Sequence, residues 1–260
     1  MKQKFKDKRV LITGASKGLG KAAAIAFEQE GARLALAARS EDKLETLKNS
    51  FGEPNNHLVF NLDLLDSKNI ERLTASIIEE WDGIDIILHC IGGSLGVNET
   101  LVDWENFVKC MKGNIGIASE INRYLVPRMK VQSSGSIIHV GSIVSFEAVA
   151  SVPYSTAKAA LSGYVRSLGK DLAEHSIIVA GILPGAFYGD DNAMFRYEYY
   201  KPEEYREFKK SLPQGRMPIA DEYVPMLFIL ANPDSKIMSG SLITMDGAQG
   251  KAYYNYSSST

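Results

Sequence analysis

The sequence has few of the residues that mark secreted or membrane proteins. It contains 2 cysteines, Cys90 and Cys110, without C-x-x-C spacing, which argues against a disulfide framework and against a cysteine zinc site. No apolar run approaches the roughly 20 residues of a membrane-spanning helix, and the stretch after the basic start is too short for a signal peptide. We therefore expect a cytoplasmic protein with two reduced thiols.

An excess of charge of one sign is also lacking. Lys and Arg number 29 against 31 for Asp and Glu, and the formal net charge is -2. This balance gives no electrostatic reason to expect nucleic acid or an anionic membrane as a partner. The four histidines are scattered without metal-ligand spacing, so no metal is expected. We expect a small-molecule ligand and a single domain over residues 1–260.

Short β-rich runs alternate with longer segments of helical periodicity. The runs, at residues 9–13, 33–38, 57–61, 84–90, 136–141, 177–183 and 241–245, are mostly apolar at consecutive positions. This pattern is typical of parallel strands covered on both faces and joined by crossover helices. It predicts an α/β fold with a doubly wound parallel sheet of about seven strands. Residues 187–218, rich in Tyr, Phe, Lys, Arg and Glu, are predicted to form a helical lid over the substrate, with an aromatic stacking surface.

The first predicted strand leads into a glycine-rich sequence, TGASKGLG, at residues 13–20. Such glycines permit a tight turn and let backbone N–H groups at a helix N-terminus approach the phosphates of a ligand. A glycine-rich turn alone is a weak signal, but its place between the first strand and the first helix favours a dinucleotide site. The expected contacts are Gly14, Ser16, Lys17, Gly18, Leu19 and Gly20.

Tyr154 and Lys158, in the sequence VPYSTAK, stand four positions apart and so share one face of a helix. An ammonium group one turn away would lower the pKa of the phenol from its ordinary value of about 10, which makes proton exchange near neutrality feasible. The spacing alone also arises by chance in exposed surface pairs. Its meaning therefore depends on the neighbouring motifs.

Taken together, the motifs resemble the short-chain dehydrogenase/reductase family over roughly residues 8 to 250. The resemblance is carried by TGxxxGxG, GSIVSFEAVASVPYSTAK, ILPG after a late strand and SGSLITMDGA. It implies a Rossmann-like single domain and hydride transfer between a nicotinamide cofactor and a carbonyl or secondary alcohol. Members commonly pair through long helices beside the active site, so a homotetramer or dimer is expected. Nothing in the tail at 251–260 decides whether it reaches a neighbouring subunit.

The resemblance also assigns site residues. Tyr154 is the implied acid and base, Lys158 tunes it and binds the nicotinamide ribose, and Ser142 polarises the substrate oxygen. Asn114 is the implied asparagine whose helix distortion anchors a water for proton exit. The spacing from Ser142 to Tyr154 is one residue shorter than is commonest, so Ser145 is the alternative. The implied cofactor contacts beyond the glycine loop are Arg39, Ser40, Asp63, Leu64, Gly92, Tyr154, Lys158, Pro184, Gly185 and Phe187.

The chain departs from the family pattern after the fourth strand. His89 and Cys90 stand where similar proteins have two asparagines, and we expect altered packing there rather than lost chemistry. His89 is expected to be a hydrogen-bonded core histidine, with a titrating role as the alternative.

The end of the second strand indicates the choice of cofactor. An NAD enzyme usually has a carboxylate there for the ribose hydroxyls, but this chain has Ala38 followed by Arg39. The guanidinium group of Arg39 can bind a 2′-phosphate with two parallel hydrogen bonds, and Lys17 adds a second positive charge nearby. The sequence therefore favours NADP(H) over NAD(H). The alternative, that Arg39 is a solvated residue at a helix start, stays open.

The sequence predicts an NADP(H)-dependent carbonyl reductase or alcohol dehydrogenase acting on a small or medium polar substrate. A 3-oxoacyl-carrier-protein reductase is an alternative, for which Arg128 and Lys130 offer a modest docking patch. A sugar or nucleotide-sugar oxidoreductase is a second, and a non-catalytic NADPH sensor or scaffold a third. The complete set of catalytic residues argues against the last. In the lid, cations that could meet an anionic substrate, or lie on a solvated helix, are Arg196, Lys201 and Arg206.

Overall fold

Seven parallel strands form one sheet in the computed structural model, which describes residues 3–251. The strands are β1 (Arg9–Thr13), β2 (Arg33–Ala38), β3 (Leu58–Asn61), β4 (Ile86–His89), β5 (Gly135–Val140), β6 (Ile177–Pro184) and β7 (Leu242–Met245). Their order across the sheet is β3-β2-β1-β4-β5-β6-β7. The predicted fold class is confirmed, and all seven predicted runs are strands. The third, fourth and seventh are shorter than predicted, because the paired segments leave out His57, Ile84, Asp85, Cys90 and Ser241.

Helices cover both faces of the sheet. They are α1 (Gly18–Gln29), α2 (Glu41–Asn49), α3 (Ser67–Trp81), α4 (Trp104–Met111), α5 (Ile117–Gln132), α6 (Val152–Leu172), α7 (Ala193–Tyr200), α8 (Pro202–Ser211) and α9 (Val224–Ala231). Helix α3 illustrates the sequence logic: the Asp66 side chain caps its first turn by accepting from Lys68 N, and Ile70, Leu73 and Ile77 are buried at helical spacing. Within residues 3–251, none of the helices has the length and apolar character needed to cross a membrane.

Two hydrophobic clusters lie on opposite faces of the sheet. Because successive strand residues point to opposite faces, Val10 and Ile12 belong to the cluster that contains Phe27 of α1. Leu11, between them, belongs to the other cluster, together with Ile121 of α5. Burial of both faces explains why the strands are continuously apolar in sequence.

The chain changes direction across the sheet between β1 and β4. These strands are neighbours, yet β2 and β3 lie on one side of them and β5 to β7 on the other. In open α/β sheets, a ligand crevice forms at this point, beyond the carboxyl ends of the strands. The glycine-rich loop after β1 and the loops after β4, β5 and β6 therefore meet at one edge. The tail at 252–260 lies outside the described residues.

Candidate active site

The glycine-rich loop turns tightly from β1 into α1. A Cβ atom at Gly20 would collide with the carbonyl oxygen of Gly14, so the loop tolerates only glycine at this point. Gly14 N donates to Ala37 O at 2.8 Å, which fixes the loop to the end of β2. Leu19 is buried, whereas the Lys17 side chain is exposed. The loop thus places the N-terminus of α1 at the edge of the sheet where the crevice lies.

The ends of β2 and β3 provide the other expected adenosine contacts. Arg39 is exposed, and its side chain has no partner among residues 3–251. Ser40 is the residue before α2. Asp63 is exposed and accepts a hydrogen bond from Leu65 N at 3.0 Å, which shapes the turn after β3, while Leu64 is buried. No carboxylate stands at the last position of β2, where Ala38 is found.

Asn114 ties the loop after β4 to a distorted helix. It lies in a π-helical turn, Lys112–Gly116, between α4 and α5, so the expected helix distortion is present. Its Nδ2 donates to Gly93 O at 2.8 Å and to Cys110 O at 2.9 Å, and its Oδ1 accepts from Gly93 N at 3.0 Å. The Asn114 side chain is buried, and its hydrogen bonds fix the backbone of the loop after β4 at Gly93.

Lys158 is buried beside this asparagine. Its Nζ donates to Val140 O at 2.8 Å and lies 5.9 Å from the ring centroid of Tyr154. A Cβ atom at Gly92 would lie 2.9 Å from both Lys158 Nζ and Asn114 Oδ1. The glycine therefore leaves space directly next to the ammonium group and the amide. The structure thus brings together Asn114, Lys158, Tyr154 and the loop at Gly92.

Ser142 rather than Ser145 contacts the tyrosine. Ser142 precedes a short helix, Ile143–Ser145, and its Oγ accepts from Val144 N at 3.3 Å. The same hydroxyl donates to Pro184 O at 3.5 Å and is hydrogen-bonded to the Tyr154 phenol. The ends of β5 and β6 therefore meet at the phenol, and the shorter loop does not move Ser142 out of reach.

The ionisation of the pair differs from the sequence-based expectation. Burial raises the pKa of Tyr154, and the hydrogen bond with Ser142 only partly opposes this. Burial also lowers the pKa of Lys158 to about 8. The expected lowering of the Tyr154 pKa by Lys158 is not found, because the ammonium group is directed to Val140 O. At neutral pH, Tyr154 is consequently a protonated phenol and can act as a proton donor.

His89 is a core residue behind the site. Its Nε2 is hydrogen-bonded to Asn122 Oδ1 at 3.0 Å, and Asn122 Nδ2 donates to the Tyr164 hydroxyl at 3.0 Å. The His89 ring stacks on His139, with centroids 4.7 Å apart. Cys90 N donates to Thr13 Oγ1 at 3.2 Å, a bond that ties the ends of β4 and β1 together. The interpretation of His89 as a hydrogen-bonded core histidine fits this packing.

Some of the lid aromatics pack internally, and others are exposed. Tyr205, Leu212 and Met217 are buried in a small cluster of their own, and Tyr188 and Tyr197 pack against it. Phe187 faces inward, with its ring 5.0 Å from that of Tyr223. Phe195, Tyr199 and Tyr200 are exposed, so only part of the stacking surface expected from the sequence is internal packing. The lid cations are also paired: Arg196 with Asp191, Lys201 with Glu204 and Arg206 with Glu203.

Some residues at the crevice were not recognised in the sequence. Lys21 and Lys43 lie near the glycine loop and pair with Asp190 and Asp191 of the lid. Lys43 could have been recognised as a residue of the crevice from its position, because it lies in the first turn of the helix that follows Arg39. Asp190 and Asp191 are far from these lysines in sequence, and no local pattern indicated that they lie at the crevice. Among residues 3–251, no group of three or more His, Cys, Asp or Glu side chains could hold a metal ion.

A doubly wound parallel sheet, a glycine-rich turn after β1, and Tyr154 beside buried Lys158 after β5 define a dinucleotide-dependent oxidoreductase. The comparison with family models agrees, since the model described as short chain dehydrogenase matches residues 8–198. The chain belongs to the short-chain dehydrogenase/reductase family.

Individual relatives cover nearly the whole chain. The 3-oxoacyl-(acyl-carrier-protein) reductase of Aquifex aeolicus is 27% identical over 255 residues, which is 95% of this chain and 99% of the relative. Glucose 1-dehydrogenase of Gluconobacter oxydans is 28% identical over 255 residues, covering 95% and 93%. Among solved structures, the L-sorbose reductase of Gluconobacter frateurii, complexed with NADPH and L-sorbose, has a TM-score of 0.84 at 25% identity. That match covers 95% of this chain and 98% of the reductase.

Proposed function

We propose that the protein is an NADP(H)-dependent oxidoreductase that interconverts a polar carbonyl compound and the corresponding secondary alcohol. The observation that carries this proposal is the position of the Tyr154 phenol. It is hydrogen-bonded to Ser142 and lies over buried Lys158, at the sheet edge where the glycine-rich loop opens. The proposal places the protein in the cytoplasm, consistent with the free thiols of Cys90 and Cys110.

The residues of the crevice fit a dinucleotide. The Lys158 ammonium group has three donors, of which the structure uses one, on Val140 O. Gly92 leaves open space beside that group, as a ribose hydroxyl would need. At the end of β2, Arg39 and the absence of a carboxylate favour a 2′-phosphate, and the similar sorbose reductase is complexed with NADPH. When bound, NADP(H) supplies or takes up the hydride.

Each of the other catalytic steps is assigned to one side chain of the site. Tyr154 donates its phenolic proton to the carbonyl oxygen as negative charge develops there. The Ser142 hydroxyl holds the same oxygen in line. Lys158, held by Val140 O, offers its two other donors to the ribose of the cofactor. Asn114 keeps the π-helical turn and the loop at Gly93 in place. The protons that restore the Tyr154 phenol enter from solvent past this asparagine.

Sugars and related polyhydroxy ketones are the substrate class that the comparisons support. The glucose dehydrogenase and the sorbose reductase both act on sugars by name. Reduction of the 3-oxo group of an acyl chain carried as a thioester on acyl-carrier protein is the second candidate, supported by the Aquifex aeolicus relative. The basic patch for that partner is weakened, because Arg128 is paired with Asp82 at 3.1 Å.

A substrate screen tests the proposal. NADPH is incubated with the protein and with panels of sugars, small ketones and acyl thioesters, and the loss of nicotinamide absorbance is followed. We expect turnover with at least one polar ketone or sugar. Turnover confined to acyl thioesters would favour the second candidate, and no turnover in either direction with any panel would contradict the proposal.

Replacing Arg39 with aspartate should change the cofactor preference. The carboxylate repels the 2′-phosphate and can accept bonds from ribose hydroxyls, so NADPH affinity should fall roughly 10- to 100-fold while NADH affinity holds or improves. Titrations of both cofactors by fluorescence measure this. Lys48→Asp, a charge reversal in the last turn of α2, is the matched control. An unchanged preference in Arg39→Asp would show that Arg39 does not bind the phosphate.

The proposal includes a homo-oligomer, either a tetramer or a dimer. The large apolar residues of α6, such as Leu161, Val165 and Leu172, are buried within the chain. A partner helix would therefore meet small exposed residues such as Gly163, beside which a Cβ atom would have open space. Sedimentation at micromolar concentration should give at least a dimer. A monomer under those conditions would contradict this part of the proposal.

A further inference from the structure

Two lysines from different elements converge on one carboxylate of the lid. Lys17 Nζ lies 3.5 Å from Asp191 Oδ2, and Lys43 Nζ lies 3.0 Å from the same oxygen. Arg196 Nη1 donates to Asp191 O at 2.6 Å. Lys43 and Lys17 together lower the pKa of Asp191, so the carboxylate is charged at neutral pH.

Backbone contacts seat this acidic loop on the glycine-rich loop. Gly18 N donates to Asp190 O at 3.1 Å, and a Cβ atom at Gly189 would lie 3.1 Å from Gly18 Cα. Asp191 has a φ of 54°, in the left-handed region that aspartate enters more readily than most residues. The Asn192 side chain closes the turn by donating to Phe187 O at 2.6 Å. The Asp191 carboxylate therefore stands at the mouth of the proposed cofactor crevice.

The cations around this carboxylate lie where a dinucleotide carries its ribose substituent. Lys17 follows β1, and Lys43 lies in the first turn of α2, four positions after Arg39 at the end of β2. Two ammonium groups that reach a single carboxylate oxygen are close enough to share one phosphate group, which has three acceptor oxygens. A phosphate dianion, with its greater charge, competes well for these donors.

We propose that Lys43 is a specificity residue for the 2′-phosphate of NADP(H) and that Asp191 is a built-in competitor for that phosphate. This inference rests on the proposed use of NADP(H). Without cofactor, Asp191 holds Lys17 and Lys43 and anchors the lid loop. The 2′-phosphate binds both lysines in place of the carboxylate, which keeps its pair with Arg196. NADH, which lacks this phosphate, leaves the contacts of Asp191 unchanged.

Titrations of NADPH and NADH, followed by fluorescence, test the inference in four variants. Asp191→Asn should tighten NADPH binding by about two- to fivefold, the range expected for exposed ion pairs. Lys43→Gln should weaken NADPH binding by about tenfold, as expected for the loss of a charged hydrogen bond. Neither should change NADH binding. The controls are Asp190→Asn, which loses only the pair with Lys21, and Lys48→Gln on the far turn of α2.

The outcomes separate this inference from the proposed function. If the wild-type protein prefers NADPH but Asp191→Asn and Lys43→Gln bind it like their controls, the inference is overturned and the proposed function stands. Equal weakening of both cofactors by Lys43→Gln would also overturn it, because the lysine would then act away from the 2′-phosphate. A wild-type preference for NADH would overturn the proposed cofactor and the inference together.

Discussion

Replacing Tyr154 with phenylalanine is expected to lower kcat by about 10²- to 10⁴-fold, the usual contribution of a positioned proton donor. The substitution removes only the hydroxyl that is hydrogen-bonded to Ser142, so the helix and the ring should remain in place. Because Lys158 and the glycine-rich loop are untouched, NADPH should bind with nearly unchanged affinity. Steady-state turnover on the carbonyl found in the screen, together with a cofactor titration, measures both quantities.

Tyr164→Phe is the matched control for this experiment. It removes a phenol from the same helix, where the hydroxyl accepts from Asn122 Nδ2 behind the site rather than facing the crevice. Its kcat should stay close to that of the wild-type protein. Equal turnover in the wild-type protein and Tyr154→Phe would contradict the assignment of Tyr154 as the proton donor.

Lowering the pH from 6.5 to 5 is expected to reduce the free energy of unfolding by about 3 kcal/mol through two buried histidines. Burial lowers the pKa of His89 to about 4 and that of His139 well below its ordinary value of 6.5. Both nitrogens of His139 and Nδ1 of His89 have no hydrogen-bond partner within residues 3–251. Neither ring can therefore gain a proton in the folded state without a large cost.

The direction of this effect follows from proton binding. Below pH 6.5 the unfolded chain binds a proton at each histidine while the folded protein does not, so stability is lost as the pH falls toward about 4. Each histidine contributes a slope of about 0.7 kcal/mol per pH unit at pH 6.5, which approaches about 1.4 kcal/mol per pH unit near pH 5. His57, whose pKa burial also lowers, acts in the same direction.

Denaturant unfolding curves at several pH values and one protein concentration measure this slope. His89→Asn and His139→Asn should each reduce it by about 1.4 kcal/mol per pH unit near pH 5, whatever their effect on stability at pH 7. His175→Asn, near the surface and outside the core, is the matched control for the loss of a histidine. A slope in His89→Asn and His139→Asn equal to that of the wild-type protein would show that these histidines titrate normally in the folded state.

The sheet and the core of the candidate site could be predicted because their signals are local. Continuous apolar runs indicated strands buried on both faces, and β1, β2 and β7 lie within a residue of the predicted bounds. The spacing of Tyr154 and Lys158 placed both on one face of α6, and the structure agrees. Glycine at position 20 was expected from the turn and is required by the contact with Gly14 O.

The features that were missed depend on contacts between distant segments. The pairing of Asp191 with Lys17 and Lys43 joins the lid to the first two helices, and no local pattern encodes it. Phe187 packs on Tyr223 because the chain after β6 turns back toward the core, so an aromatic that looked exposed in sequence is internal. Burial raises the Tyr154 pKa, and this burial comes from elements that are distant in sequence, so the spacing to Lys158 could not predict it.

Transfer of deuterium from NADPH that carries deuterium at both hydrogen positions of the nicotinamide C4, so that either face can deliver it, is the most direct test that the protein is a hydride-transferring reductase. The wild-type protein is incubated with the labelled cofactor and the carbonyl found in the screen, and the alcohol is analysed by mass spectrometry. The proposed function predicts that the alcohol carries the label and that Tyr154→Phe forms it at a rate lower by about 10²- to 10⁴-fold. An unlabelled alcohol, or NADPH binding without label transfer to any carbonyl tested, would contradict it.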